Sequence, residues 1–306
     1  MKQNSNESAI GVASALAAYG LWGVLPIYWK LLGLVSAGEI LAHRIIWSLA
    51  FLIGILIVSK KVKSGIKEIK NIMADKQQSV AILLASLLIS LNWFLFIWAV
   101  NNNHMVETSL GYYINPLVSV LLGIIFLKEK LTQLQMITFI LAAVGVINLV
   151  LHFGSFPWVA FSLAISFGLY GLLKKFVHLG AIVGLTIETL VITPFALIYL
   201  VYIYNQTNVS VSTLSISEWL LLMGGGVATA VPLLLFATGV RRIPLSMIGF
   251  LQYIAPTLML IIGVFVYDET FTKVHLISFI FIWLALLIFS LSNWRLFLRP
   301  HVKSTG

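Results

Sequence analysis

Residues 113–132 read YINPLVSVLLGIIFLKEKLT, and residues 253–272 read YIAPTLMLIIGVFVYDETFT. At an offset of 140, Tyr113-Ile114-Asn115-Pro116 falls on Tyr253-Ile254-Ala255-Pro256, Gly123 on Gly263, Glu129 on Glu269 and Thr132 on Thr272. The same offset pairs Phe96 with Phe236. Nearer the start, Gly20-Leu21-Trp22-Gly23 matches Gly168-Leu169-Tyr170-Gly171 at an offset of 148. The offset changes where the first half carries a longer Lys-rich loop. An ordered series of matches says more than any single one, so the chain reads as two repeats, residues 1–152 and 153–306.

Composition says where those repeats reside. Of 306 residues, 60% are hydrophobic and 9% charged. The mean hydropathy is +1.03. A soluble domain carries about 25% charged residues, and disorder needs the opposite composition. An all-α integral membrane protein remains. A spanning helix takes about 20 apolar residues. Ten such runs lie near Ala9–Tyr28, Val35–Val58, Val80–Val100, Glu107–Leu127, Leu131–Leu151, Pro157–Phe176, Ala181–Tyr204, Ser217–Gly239, Leu245–Tyr267 and Val274–Asn293. The first is read as a retained helix rather than a cleaved signal, because cleavage after Ala15-Leu16-Ala17 would leave an apolar terminus.

The net charge of +9 would suit nucleic acid in a soluble chain. In a membrane protein, Lys and Arg gather on the cytoplasmic side. With both termini inside, 16 of the 19 basic residues fall in cytoplasmic segments, Lys30 and Lys273 lie outside, and Arg44 sits within a helix. Nine or eleven spans would spoil that partition. Five helices per repeat is an odd number, so the second repeat is inverted. Lys128-Glu129-Lys130 is then inside, and its counterpart Asp268-Glu269-Thr270, outside, has lost its lysines. Inverted repeats are frequent in secondary transporters, with the site between the halves near the midplane.

Polar groups inside hydrocarbon mark function by default. Glu39 and His43 are four apart and share a helix face. Arg44 lies roughly 13 Å into its helix, near the middle of a core about 30 Å thick. Glu188 aligns with Glu39 from the opposite side. These residues form a charged cavity floor with a titrating carboxylate, or else Glu39, His43 and Arg44 neutralise one another and fix the helix. Asn92, Trp93, Tyr112, Tyr113 and Asn115 add polar and aromatic groups. Pro116 deprives the Tyr112 carbonyl of its helical partner, and Pro256 does so to Gln252, beside Tyr253. Freed carbonyls near amide and aromatic side chains suit a binding site; the competing reading is a kink that only shapes the helix. Trp22 and Tyr170 either line the cavity or pack.

Enzyme chemistry has no foothold. There is no Cys, no His-Glu-x-x-His zinc pair, no nucleophile elbow and no P-loop. No cofactor, metal or nucleic-acid partner is expected, and ATP coupling is not expected. Gly224-Gly225-Gly226 reads as close helix packing. The Lys60–Lys76 loop reads as an orientation signal lying against anionic lipid.

The run Glu39-Ile40-Leu41-Ala42-His43-Arg44-Ile45-Ile46-Trp47-Ser48, the stretch from Asn92-Trp93-Phe94 through Gly111-Tyr112-Tyr113-Ile114-Asn115-Pro116, and Gly249-Phe250-Leu251-Gln252-Tyr253-Ile254-Ala255-Pro256 together resemble the RarD family. So do Ile187-Glu188-Thr189 and Val231-Pro232-Leu233-Leu234. RarD proteins are called chloramphenicol-sensitive proteins and fall within the EamA-type drug/metabolite transporter superfamily. The resemblance implies ten helices in two inverted repeats, with the fifth and tenth at the periphery. It implies movement of a small metabolite or drug across the bacterial inner membrane. The expected site comprises Arg44, His43, Asn92, Trp93, Tyr113, Asn115, Gln252 and Tyr253, with Glu39 and Glu188 as coupling carboxylates for protons. Arg44 attracts a substrate carboxylate or balances Glu39. The partners expected are the lipid bilayer and a small-molecule substrate, with room for a homodimer. A channel or a non-transporting membrane scaffold is the alternative.

Overall fold

The computed structural model describes residues 5–32, 35–101, 104–177, 179–206, 215–267 and 271–297. They form twelve helices: α1 Ser5–Lys30, α2 Ala37–Val58, α3 Val62–Ala74, α4 Lys76–Asn101, α5 Met105–Leu127, α6 Gln133–Leu151, α7 Trp158–Phe176, α8 Ala181–Gln206, α9 Ile216–Val240, α10 Leu245–Gln252, α11 Ile254–Tyr267 and α12 Lys273–Phe297. Ten stretches are long and apolar enough to cross a bilayer, with α10 and α11 in series making the ninth. Two differences from the sequence reading have physical causes. The ninth span is broken at Tyr253, because Pro256 cannot donate to the Gln252 carbonyl and the helical ladder lapses there. In the first repeat, Pro116 lies inside an unbroken α5. The Lys-rich loop, in turn, holds α3, which has thirteen residues and is too short to span.

Local chemistry fixes the helix ends. Ser36 caps α2 through the Glu39 amide. Thr132 with Gln135 and Ser215 with Glu218 form capping boxes at α6 and α9. Such reciprocal bonds satisfy donors that the first turn leaves open.

The packing follows the repeat. α5 packs on α7 as α10 and α11 pack on α1, and α4 packs on α7 as α9 packs on α1. The pairs α2–α8, α5–α10 and α6–α12 map onto themselves. α6 and α12 are paired with each other and contact little of the remaining bundle, as peripheral helices should. Asn148 of α6 donates to the Ser278 hydroxyl of α12 at 2.8 Å.

One pair breaks the symmetry: α2 packs on α9 more extensively than α8 packs on α4. The sequence explains why. Gly224-Gly225-Gly226 on α9 corresponds to the bulkier Leu84-Ala85-Ser86 on α4. Gly226 lies directly on the α2 backbone, where an added Cβ would come within 2.6 Å of the Ser48 nitrogen. Ser48 also donates to the Gly226 carbonyl at 2.9 Å. Gly226→Ala should therefore lower the melting temperature of the detergent-purified protein, by an overpacking cost of about 1–3 kcal/mol. Gly20→Ala is the control, since a Cβ at Gly20 meets nothing within 4 Å. Equal melting of the two variants would show that this crossing does not limit stability.

Candidate functional site

Arg44 stands midway along α2. Its Nε donates to the Thr229 hydroxyl of α9 at 2.8 Å. That hydroxyl donates in turn to the Gly225 carbonyl at 2.7 Å, which fixes its lone pairs toward the arginine. The guanidinium lies over the Trp29 ring of α1, 4.3 Å from its centroid. Gly225 leaves room for the arginine stem, because a Cβ there would sit 3.4 Å from Arg44 Cγ. α1, α2 and α9 thus hold one cation from three sides.

Tyr112 of α5 completes the setting. It lies within electrostatic range of Arg44. Its ring meets Phe96 of α4 at a centroid distance of 6.4 Å. Tyr112 keeps 37% of its surface accessible. Arg44 is half-buried, midway along a spanning helix. Among the described residues, no carboxylate forms a salt bridge with it.

Glu39 does not balance Arg44. It is 1% accessible and its charge acts on Tyr199 and Tyr204 of α8. His43, one turn on, faces the Tyr204 hydroxyl at 3.2 Å and the Trp219 ring edge at 5.5 Å. Glu39 and His43 make one polar group at the far face of the bundle, opposite the N-terminus. Five residues separate Glu39 from Arg44, and that spacing puts them on different helix faces.

Glu188 has a partner that the charge count missed. Lys174, in the last turn of α7, is 4% accessible and forms a salt bridge with Glu188. Tyr170 donates to the other carboxylate oxygen at 3.0 Å. Counted among residues that set orientation, Lys174 is instead a buried cation. Tyr170 stacks on Phe236 at 6.0 Å. Phe236 and Phe167 both meet Trp22, at 5.7 and 5.9 Å. Tyr170 is fully buried, so it packs rather than lining an open surface.

The amide and aromatic candidates divide. Asn92 donates to the Leu163 carbonyl and the Ser166 hydroxyl, both at 2.9 Å, and ties α4 to α7. Trp93 packs against Leu52, Leu185, Ala230 and Leu233. Tyr113 donates to the Pro256 carbonyl at 3.3 Å. Gln252 accepts from Ser119 at 3.4 Å. Asn115 and Tyr253 are buried, each with a polar atom lacking a hydrogen-bond partner. The Pro116 carbonyl abuts Gly249, where a Cβ would approach it to 2.6 Å. Tyr113, Asn115, Gln252 and Tyr253 lie where α5 meets α10 and α11. The residues that do surround Arg44, namely Trp29 and Thr229, went unselected in the sequence.

At the face bearing the N-terminus, polar ties join neighbouring helices. Glu129 accepts from the Leu245 and Ser246 amides at 2.7 and 2.8 Å and so caps α10. Lys175 donates to the Ile243 carbonyl. Arg242 pairs with Glu7 at 2.8 Å. Burial, then the adjacent Arg242, push Arg241 below the ordinary guanidinium range, with Glu68 pulling the other way.

The profile of the EamA-like transporter family matches residues 9–151 and again residues 156–291. The chain belongs to that family. It is 48% identical to "Uncharacterized transporter YojE" of Bacillus subtilis, over 96% of this chain and 99% of that protein. It is 42% identical to "Protein RarD" of Escherichia coli, over 94% and 95%. A "Chloramphenicol-sensitive protein RarD" of Pseudomonas aeruginosa is 29% identical over 97% and 98%. A crystal structure titled only "Crystal structure of protein" superposes with a TM-score of 0.72 at 18% identity, covering 95% of this chain and 99% of the other, and so shares the fold. The EamA/RarD assignment and the ten-helix architecture make this chain a secondary transporter for small metabolites or drugs, multi-pass in the bacterial inner membrane, and not an enzyme. Among the described residues, no cluster could hold a metal ion.

Proposed function

We propose that the chain moves a small organic anion across the bilayer by alternating access, with Arg44 binding the anion and the surrounding aromatics binding its planar part. The observation that carries this reading is Arg44 itself, deep, accessible and without a carboxylate partner among the described residues. A charge placed at bilayer depth is costly and persists where it serves a pathway. Trp29 and Tyr112 beside it offer flat surfaces to a planar group. The repeats, divided at 152/153, rock about this point, with both termini cytoplasmic. The distribution of basic residues supports that orientation. Glu39 and Glu188 are the candidate proton carriers, one near each face, and a homodimer is the proposed assembly.

The test is flux from a panel of metabolites and drugs in proteoliposomes with and without the protein. Chloramphenicol belongs in that panel because a relative carries its name. Aromatic and other planar carboxylates should move, faster than their esters. If only neutral or cationic compounds move, Arg44 is not an anion site.

A further inference from the structure

α3 is the one helix that the transport cycle, as described, does not use. Its residues divide by angle around the axis. Gly65, Ile69 and Ile72 face the bundle, where Ile72 packs with Ala81, Ile82, Val177, Leu179 and Val183. Val62, Ile66 and Met73 form a second apolar stripe, 40, 49 and 74% accessible. Lys63, Lys67 and Lys70 follow at the next angle, all exposed. Lys60, Lys61 and Lys76 flank the helix. Glu68 lies on the opposite edge and accepts from the Gly180 amide at the start of α8, 3.3 Å away. The only other acid in this segment is Asp75, which caps the turn into α4.

We infer that α3 is a binding element for anionic phospholipid, seated in the headgroup layer at the face bearing the N-terminus. Glu68 turns toward the protein while the lysines turn away, which leaves six positive charges beside an uncovered apolar stripe. A soluble partner protein would need an acidic groove. A leaflet supplies both an apolar layer for Val62, Ile66 and Met73 and phosphates for lysines that reach past them. An attachment of this kind weakens with salt and with loss of lipid charge.

The chain has no cysteine, so Met73→Cys carries a single fluorescent label. The labelled protein is placed in nanodiscs of phosphatidylcholine with increasing phosphatidylglycerol. The emission should shift to the blue and iodide quenching should fall as the anionic fraction rises. Each lysine is expected to contribute a factor of about five in affinity for the anionic surface. K63Q/K67Q/K70Q should therefore flatten the response, and K63R/K67R/K70R should keep it. About 1 M salt, where the screening length is about 3 Å, should erase it. The lipid titration leaves all the lysines intact, so it stands even if the glutamine variant fails to insert. Identical emission and quenching in neutral and anionic discs would overturn the inference.

Discussion

Arg44→Ala should abolish transport while leaving the protein as stable as before, or more so. The two halves of that expectation come from one fact. Among the described residues, the guanidinium is held by Thr229 and Trp29 but balanced by no carboxylate. Burying an unbalanced charge costs several kcal/mol, and removing it returns that cost. The cation–π contact and one hydrogen bond together offset only about 1–4 kcal/mol. With an anion bound, the balance reverses. Truncating one partner of a buried charge pair costs about 2–5 kcal/mol, or roughly thirty-fold and more in affinity. Arg44→Lys keeps the charge but loses the planar fork and its stacking on Trp29. It should retain a fraction of the flux with a raised KM. The checks are a melting curve of purified protein and initial rates in proteoliposomes. A stable Arg44→Ala protein with full flux would remove the anion site. A protein that unfolds would make Arg44 a structural residue, since a lost binding site has no reason to lower the melting temperature.

The architecture was legible because lipid imposes a coarse and strict rule. A crossing needs about 20 apolar residues, and every one of the ten runs carries them. Tyr113-Ile114-Asn115-Pro116 and Tyr253-Ile254-Ala255-Pro256 exposed the repeat because a proline can sit in a membrane helix only where its neighbours tolerate the lost bond. Finer structure escaped for a related reason. α3 was hidden because its apolar residues alternate with lysines, and charge dominates a reading tuned to long apolar runs. Arg44 and Glu188 stood out as expensive residues, whereas their partners did not. Trp29 and Thr229 are ordinary in a membrane helix, and three-dimensional convergence alone makes them a site. Lys174 misled through position. Placed beside Lys175 at the end of a span, it counts as a loop lysine. One turn of helix decides whether such a residue snorkels to water or turns inward to Glu188.

That inward turn leads to the second large effect. Lys174 and Glu188 are 4 and 1% accessible, and Tyr170 closes the other side of the carboxylate. Both charges have given up water, so their stability depends on each other. Lys174→Met should leave the Glu188 carboxylate without its cation and cost about 3–5 kcal/mol. Glu188→Gln should cost a similar amount by stranding the ammonium. The double variant should recover most of the loss, because a neutral pair of similar volume needs no desolvation. Double-mutant cycles on melting temperature measure that coupling directly. The same variants address proton coupling. If Glu188 exchanges Lys174 for a proton during the cycle, flux in Glu188→Gln should no longer follow a pH gradient, even in the restored double variant. If the pair is only a structural lock, the double variant should regain both stability and gradient-driven flux. Glu39 supplies the contrast, one turn before His43, whose ring faces the Tyr204 hydroxyl at 3.2 Å. Glu39→Gln should uncouple flux from the gradient, if the proton travels by the far face.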